Sequence, residues 1–166
     1  MTDDDGHRVA PDRLLTSRPE GEAIRIALEP SMSAVESGRC AILRHLAPLA
    51  LGEQVINRIE VVFEELVGNL VRHGVADAGG TAIMTVDLLA RRDEIEMVVE
   101  DNGPEFNPLE MTTPSRFTTL EEAELGGLGI PLIRRLSRKL RYERVEAEES
   151  ADGMPRNRVV VTIARQ

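Results

Sequence analysis

Apolar positions between 53 and 74 recur at helical spacing. Val55, Ile59, Val62, Leu66 and Leu70 share one stripe at about 100° per residue, widened by Phe63 and Val67. The spacing predicts a helix over 53–74 that closes at Gly74, a residue suited to the end of a helix. Elsewhere the period changes to two. In "AIRIALEP" (23–30), Ile24, Ile26 and Leu28 share a face, which predicts a strand ending at Pro30. Ser31 or Ser33 can then cap a helix running to about Leu51, with Pro48 in its last turn or marking an earlier end. After the turn "ADAGG" (76–80), "TAIMTVDLLA" (81–90) and "EIEMVVED" (94–101) predict two strands joined as a hairpin. Residues 102–125 carry no period, and so long an unpatterned stretch inside a domain reads as a functional loop. "GGLGIPLIRRLSRKL" (126–140) restarts a helix, and "RYERVEAEE" and "RNRVVVTIAR" are two last strands around "SADGMP". The order strand, two helices, two strands, loop, helix, two strands predicts an α/β two-layer sandwich. Its sheet is mostly antiparallel, with helices on one face.

Composition narrows the picture. Residues 1–21 are polar and hold two prolines and Asp3 to Asp5, so a flexible tail is expected, with one domain over 22–166. The net charge of −9 disfavours direct contact with nucleic acid and suits a basic protein partner. No stretch approaches the roughly 18 apolar residues of a membrane span, and the first residues lack the apolar core of a signal peptide. Cys40 is the single cysteine, which allows no internal disulfide; lying in an apolar helical stretch, it is expected as a small buried hydrophobe. A cytoplasmic protein is the expectation.

Three stretches carry candidate chemistry. In "VVFEELVGNLVRHG" (61–74), Glu65, Asn69 and His73 line the edge of the apolar stripe at steps of four, whereas Glu64 points away. Such a row suits a helix bordering a cleft, and equally a boundary row of polar groups bonded to one another. In "VVEDNGPEFNP" (98–108), a strand runs into Asp101, followed by Asn102 and Gly103. A plain turn accounts for this. So does a carboxylate aimed into a pocket, where it accepts hydrogen bonds from the amine of an adenine while Gly103 lets the base come close. In "LGGLGIPLIRRL" (125–136), Gly126, Gly127 and Gly129 open a helix whose free N–H groups suit phosphates, although a flexible helix start looks the same. Lys-Ser/Thr is missing, so this is no Walker A loop.

Taken in order, a Glu-xxx-Asn helix, a strand ending Asp-x-Gly, a loop, and Gly-Gly-x-Gly opening a helix resemble the Bergerat ATP-binding fold of gyrase, Hsp90 and histidine kinases. The chain is most similar to the RsbW-type anti-sigma-factor serine kinases, over about residues 22–165. The resemblance implies ATP and Mg²⁺ as cofactors. It implies Glu65 as general base toward a substrate serine, Asn69 as the Mg²⁺ ligand, and Asp101 as the reader of adenine. Gly103 would lie next to the base, and Gly126, Gly127 and Gly129 would face the phosphates. His73, with Gly74, matches the end of the first motif, and Thr162 on the last strand matches a threonine that helps fix adenine through water. One departure is Glu105, where the first glycine motif often has a second glycine. It can crowd the phosphates or point outward with Phe106 beneath the pocket.

The implied function is a partner switch in transcription regulation. The protein would bind a sigma factor in one state, and in another would phosphorylate a serine of a STAS-domain anti-anti-sigma protein. A homodimer is implied as well. The alternative is a non-catalytic, nucleotide-gated module that binds the same partners. A histidine-kinase catalytic domain is disfavoured because no two-helix module with a phosphoacceptor histidine precedes the domain.

Overall fold

Strand β1 (Glu22–Leu28) is the first element in a computed structural model that describes residues 21–74, 83–110, 129–150 and 152–166. Helix α1 (Met32–Leu46) follows, capped by the Ser31 hydroxyl, which accepts from the Ala34 N–H at 3.2 Å. Leu46 is its last residue. Pro48 falls in a 3-10 turn over Ala47–Leu49, so the proline marks the earlier of the two expected ends. Helix α2 (Glu53–Asn69) buries Val55, Ile59, Val62, Phe63, Leu66 and Val67, the stripe read from the spacing. It then widens into a π turn over Leu70–Gly74, where the Leu70 N–H is shared between the Leu66 and Val67 carbonyls.

Strands β2 (Met84–Ala90) and β3 (Glu94–Asp101) form the expected hairpin. Helix α3 covers only Gly129–Leu136, shorter than the expected 126–140. Its last i→i−4 bond runs from the Ser137 N–H to the Ile133 carbonyl, which also accepts from the Ser137 hydroxyl. The Arg138 N–H is claimed by Thr162 instead, and strand β4 starts at Lys139 and ends at Val145. Strand β5 (Arg156–Ala164) closes the sheet. The expected tail before residue 21 and most of the loop 102–125 lie outside the described residues.

All five strands pair antiparallel in the order β1-β2-β3-β5-β4. Register keeps one face apolar: Val86 lies opposite Val99 and Val99 opposite Val159, while Leu88, Met97 and Val161 form the next row. These side chains are buried together with the apolar faces of the three helices. Close approach of α1 requires Gly38, where a Cβ would stand 2.9 Å from the Phe63 ring and 3.0 Å from Leu28. The opposite face carries Arg25 paired with Asp87, and Arg158 paired with Glu100 and Glu143. The layers are therefore those expected, an α/β two-layer sandwich.

Cys40 corrects an expectation, because it is exposed. The buried positions of α1 are Val35, Gly38, Ile42 and Leu46. At about 100° per residue, position 40 falls on the far side of that stripe. No helix among the described residues is long and apolar enough to cross a membrane.

Candidate functional site

At one end of the apolar face of the sheet, the hydrophobic rows give way to polar groups. Asp101, the last residue of β3, lies opposite Asn157 near the start of β5. They are 2% and 3% exposed, in strands whose other inward positions are aliphatic. A cleft of about 380 Å³, counting its open mouth, runs from this pair to α2. Leu66, Asn69, Leu70, Val99, Ile130 and Val159 form its walls, with Phe106 and Pro108 of the segment after β3. An apolar slot with a few convergent polar groups has the form of a small-molecule site.

The Asp101 carboxylate is held through Oδ1, which accepts from the Gly103 N–H at 2.8 Å and from Asn157 Nδ2 at 2.9 Å. Burial pushes its pKa up, while the donors Asn157 and Gly103 and the nearby cations Arg144 and Arg156 pull it down. Gly103 is buried beside it. Glu105 is exposed and is not among the residues that line the cleft, whereas Phe106 lines it at 37% exposure.

The second part of the site sits on α2. Glu65 and Asn69 are half-buried on one edge, as the helical phase implies. They meet the start of α3: a Cβ built on Gly129 would lie 2.5 Å from Glu65 Oε2 and 3.2 Å from Asn69 Nδ2. A side chain there would displace the end of Glu65, so the glycine lets the carboxylate lie against the start of α3. Asn69 Oδ1 accepts from the Arg72 guanidinium at 3.0 Å, so a positive group already rests against that oxygen. Glu64 faces elsewhere, exposed and 3.7 Å from Arg39 of α1. Arg39 also pairs with Glu36 and Glu60 at 2.7 Å.

The structure thus brings together Glu65, Asn69 and Gly129, and across the cleft Asp101 and Gly103. Gly126 and Gly127 lie outside the described residues, as does the His73 side chain, although the backbone of His73 belongs to the π turn. Thr162 is not part of this arrangement. It pairs with Glu96 and Lys139, five residues beyond Asn157, which is about 17 Å along an extended strand. It also points to the other face of the sheet, in phase with Arg158 and Val160. The position across from Asp101 belongs to Asn157, which spacing alone missed. A signal was present: Asn157 is in phase with Val159, Val161 and Ile163, and a carboxamide at such a position asks for a buried partner.

This combination of a layered antiparallel sheet, a helix edge bearing Glu and Asn, and a carboxylate at the end of a central strand defines an ATPase-type nucleotide fold. A family model described as "Histidine kinase-like ATPase domain" matches residues 28–161, and the chain belongs to that family. Among curated proteins it is similar to the serine/threonine-protein kinase BtrW of Bordetella bronchiseptica, 30% identical over 81 residues. That stretch is 49% of this chain and 56% of the relative, so the match spans little more than half of BtrW. Among solved structures it resembles the RsbU and RsbW domains of Rv1364c from Mycobacterium tuberculosis, with a TM-score of 0.58 and 17% identity. The likeness takes in 87% of this chain and 33% of that one, and it shows a shared fold.

Proposed function

We propose that the protein is a Mg²⁺-ATP-dependent serine kinase that works as a partner switch. It phosphorylates a serine on a STAS-domain anti-anti-sigma protein and, in its other state, holds a sigma factor. The observation that carries this reading is the meeting of Glu65 and Asn69 over Gly129, beside a cleft that ends in Asp101. The kinase name of BtrW supports the same class of reaction.

In this reading, adenine enters the apolar cleft and its exocyclic amine donates to Asp101. The phosphates extend toward α2 and the start of α3. Asn69 Oδ1 would be the protein oxygen for Mg²⁺, and the hydrogen bond that it accepts from the Arg72 guanidinium supports its fitness for a positive partner. Among the described residues no three His, Cys, Asp or Glu side chains gather into a metal cage. One protein oxygen completed by phosphates and waters is nevertheless a usual arrangement for Mg²⁺. Held there, Mg²⁺ would supply positive charge to offset what develops on the transferring phosphoryl group.

Glu65 accepts the proton of the incoming serine hydroxyl. The serine oxygen forms its bond to the γ-phosphorus as the bond to the ADP oxygen breaks, and Glu65 later gives the proton to water. Holding the base on a packed helix fixes it relative to the phosphates. The acidic surface suits a basic face of the sigma factor.

ATP labelled in its γ-phosphate, incubated with the protein and its STAS partner, tests the reading. Label on a partner serine, dependent on Mg²⁺, is expected. Nucleotide binding without transfer supports the non-catalytic module instead, and absence of nucleotide binding overturns both.

A further inference from the structure

We infer that Asn157 is a positioning residue that fixes the Asp101 carboxylate for base selection, and that it draws its own orientation from the edge strand β4. The inference rests on the reading that the cleft takes an adenine nucleotide.

Five hydrogen bonds converge on the Asn157 carboxamide. Its Nδ2 donates to Asp101 Oδ1 at 2.9 Å and to the Pro104 carbonyl at 2.8 Å. Its Oδ1 accepts from the Phe106 N–H at 3.2 Å, the Tyr142 hydroxyl at 2.9 Å and Arg144 Nη1 at 2.8 Å. Both amide protons are used, and each faces an acceptor-only group. The oxygen faces donors alone if the Tyr142 hydroxyl gives its proton. A flipped amide would set oxygen against carboxylate and carbonyl, and NH₂ against a guanidinium and an amide N–H. One orientation is therefore enforced from both sides.

That orientation has a consequence for the carboxylate. Both hydrogen bonds that Asp101 receives from described residues fall on Oδ1, which leaves Oδ2 to a ligand. Arg144 also donates to the Gly103 carbonyl at 3.2 Å, so β4 braces the turn beneath the base at two points. A fully satisfied buried network of this kind is rigid, and losing one member leaves the others unpaired.

The test compares ATP with inosine triphosphate, which has a carbonyl where adenine has its amine. Dissociation constants of both nucleotides are measured by calorimetry on the full chain. The parent is expected to prefer ATP. Asn157→Asp keeps the acceptors for Phe106, Tyr142 and Arg144 but removes both donors and sets a second carboxylate against Asp101. It is expected to lower the ATP-to-inosine preference by about tenfold, the scale of one lost hydrogen bond to a charged group. A role confined to folding would weaken both nucleotides alike and keep the ratio. Tyr142→Phe acts from the half-buried edge strand and is expected to lower the ratio about two- to threefold, as for a neutral hydrogen bond. The inference is overturned if the ratio in folded Asn157→Asp equals that of the parent. Should that variant not fold, an unchanged ratio in Tyr142→Phe overturns it. A parent without preference, or an Asp101→Ala variant that keeps the parental preference, overturns the adenine reading itself and the inference with it.

Discussion

On the edge of α2, Glu65 and Asn69 are half-buried and meet the neighbouring helix across a glycine. At the end of the sheet, Asp101 and Asn157 are almost fully buried and joined to groups from β4 and from the turn after β3. Among the described residues the helix edge holds few interactions, and in the proposed function it would face the phosphates, the cation and the incoming hydroxyl. At the sheet end the Asn157 carboxamide is fully hydrogen-bonded and holds the Asp101 carboxylate in one direction. Recognising a flat base needs fixed direction, because a misplaced acceptor loses its discrimination. Moving a proton needs access for a second substrate. In the proposed function, the two ends of the cleft would divide these demands between a helix and a sheet.

The largest expected effect lies on the helix edge. Glu65→Gln is expected to lower phosphorylation of the STAS partner by about 10²–10⁴-fold, the usual contribution of a general base, with ATP binding kept. Glu64→Gln is the matched control, because Glu64 faces Arg39 and α1 rather than Gly129. Its expected cost is small, as for an exposed ion pair. Single-turnover kinetics of both variants check this, and a dead Glu64→Gln with an active Glu65→Gln would reverse the assignment.

At the sheet end the expected loss is in binding. Asp101→Asn keeps an oxygen for the Gly103 and Asn157 donors but offers an NH₂ where adenine needs an acceptor. ATP affinity should fall about ten- to a hundredfold, the cost of an unsatisfied buried polar group. Stability should move the other way. Burial raises the Asp101 pKa in the folded protein, so the ionised carboxylate is disfavoured by folding. The stability gained on protonation is present below the unfolded carboxylate range and lost as pH rises through the folded value. The neutral asparagine escapes that loss. Its melting temperature should exceed the parent's at pH 7, and the gap should close as pH falls below the carboxylate range. A variant less stable than the parent at pH 7 would mean that the ionised form is held by more than it costs.

Between these lies the junction of the two helices. Gly129→Ala sets a methyl group 2.5 Å from Glu65 Oε2, so the carboxylate or α3 must shift. That oxygen ends a flexible side chain, so the carboxylate swings aside at little cost to stability but leaves its place beside Asn69. Phosphoryl transfer should fall roughly tenfold, since a general base depends on its placement. The preference for ATP over inosine triphosphate should stay, because Asp101 is held from the sheet. Loss of both together would show the two ends to be mechanically one.

The difference between the ends also explains what could be read in advance. Glu65, Asn69 and the apolar stripe of α2 belong to one element, and a period of 3.6 residues fixes their relative directions. The facing of Glu64 toward α1 follows from the same phase. The exposure of Cys40 follows as well, once the stripe through Ile42 and Leu46 is used instead of the general apolarity of its neighbours. The partner of Asp101 depends on cross-strand register, which no local period reports. Thr162 and Asn157 lie on one strand, and choosing between them requires both the pairing of β3 with β5 and the parity of five residues, which turns Thr162 to the other face. The short α3 was hidden in a similar way. The next N–H past its end, that of Arg138, donates to the Thr162 carbonyl, a contact between segments remote in sequence.

The smallest expected effect concerns Arg72, the exposed cation that donates to Asn69 Oδ1 at 3.0 Å. A guanidinium and Mg²⁺ cannot both take the same face of one carboxamide oxygen, so in the proposed cycle Arg72 must give way when Mg²⁺-ATP binds. Two outcomes are physically distinct. If Arg72 only occupies the seat, Arg72→Met removes a competitor, and the Mg²⁺ concentration for half-maximal ATP binding falls. The size is that of an exposed charge-assisted contact, under about 1 kcal/mol, or a two- to threefold shift. If Arg72 swings onto the phosphates, its loss weakens ATP binding at every Mg²⁺ concentration. Titrating Mg²⁺ at fixed ATP, and then ATP at saturating Mg²⁺, separates the two. The first outcome is expected, because Arg72 folds back over Gly68, with its guanidinium nitrogens 3.2 and 3.3 Å from where a Cβ would stand. A side chain lying on its own helix already pairs with Asn69 at no cost in extension, and it is displaced by a cation of higher charge density. Raising the salt concentration should shrink the difference between Arg72→Met and the parent, as it does for any contact between exposed charges. A salt-independent difference would place Arg72 in a drier part of the site than its exposure indicates.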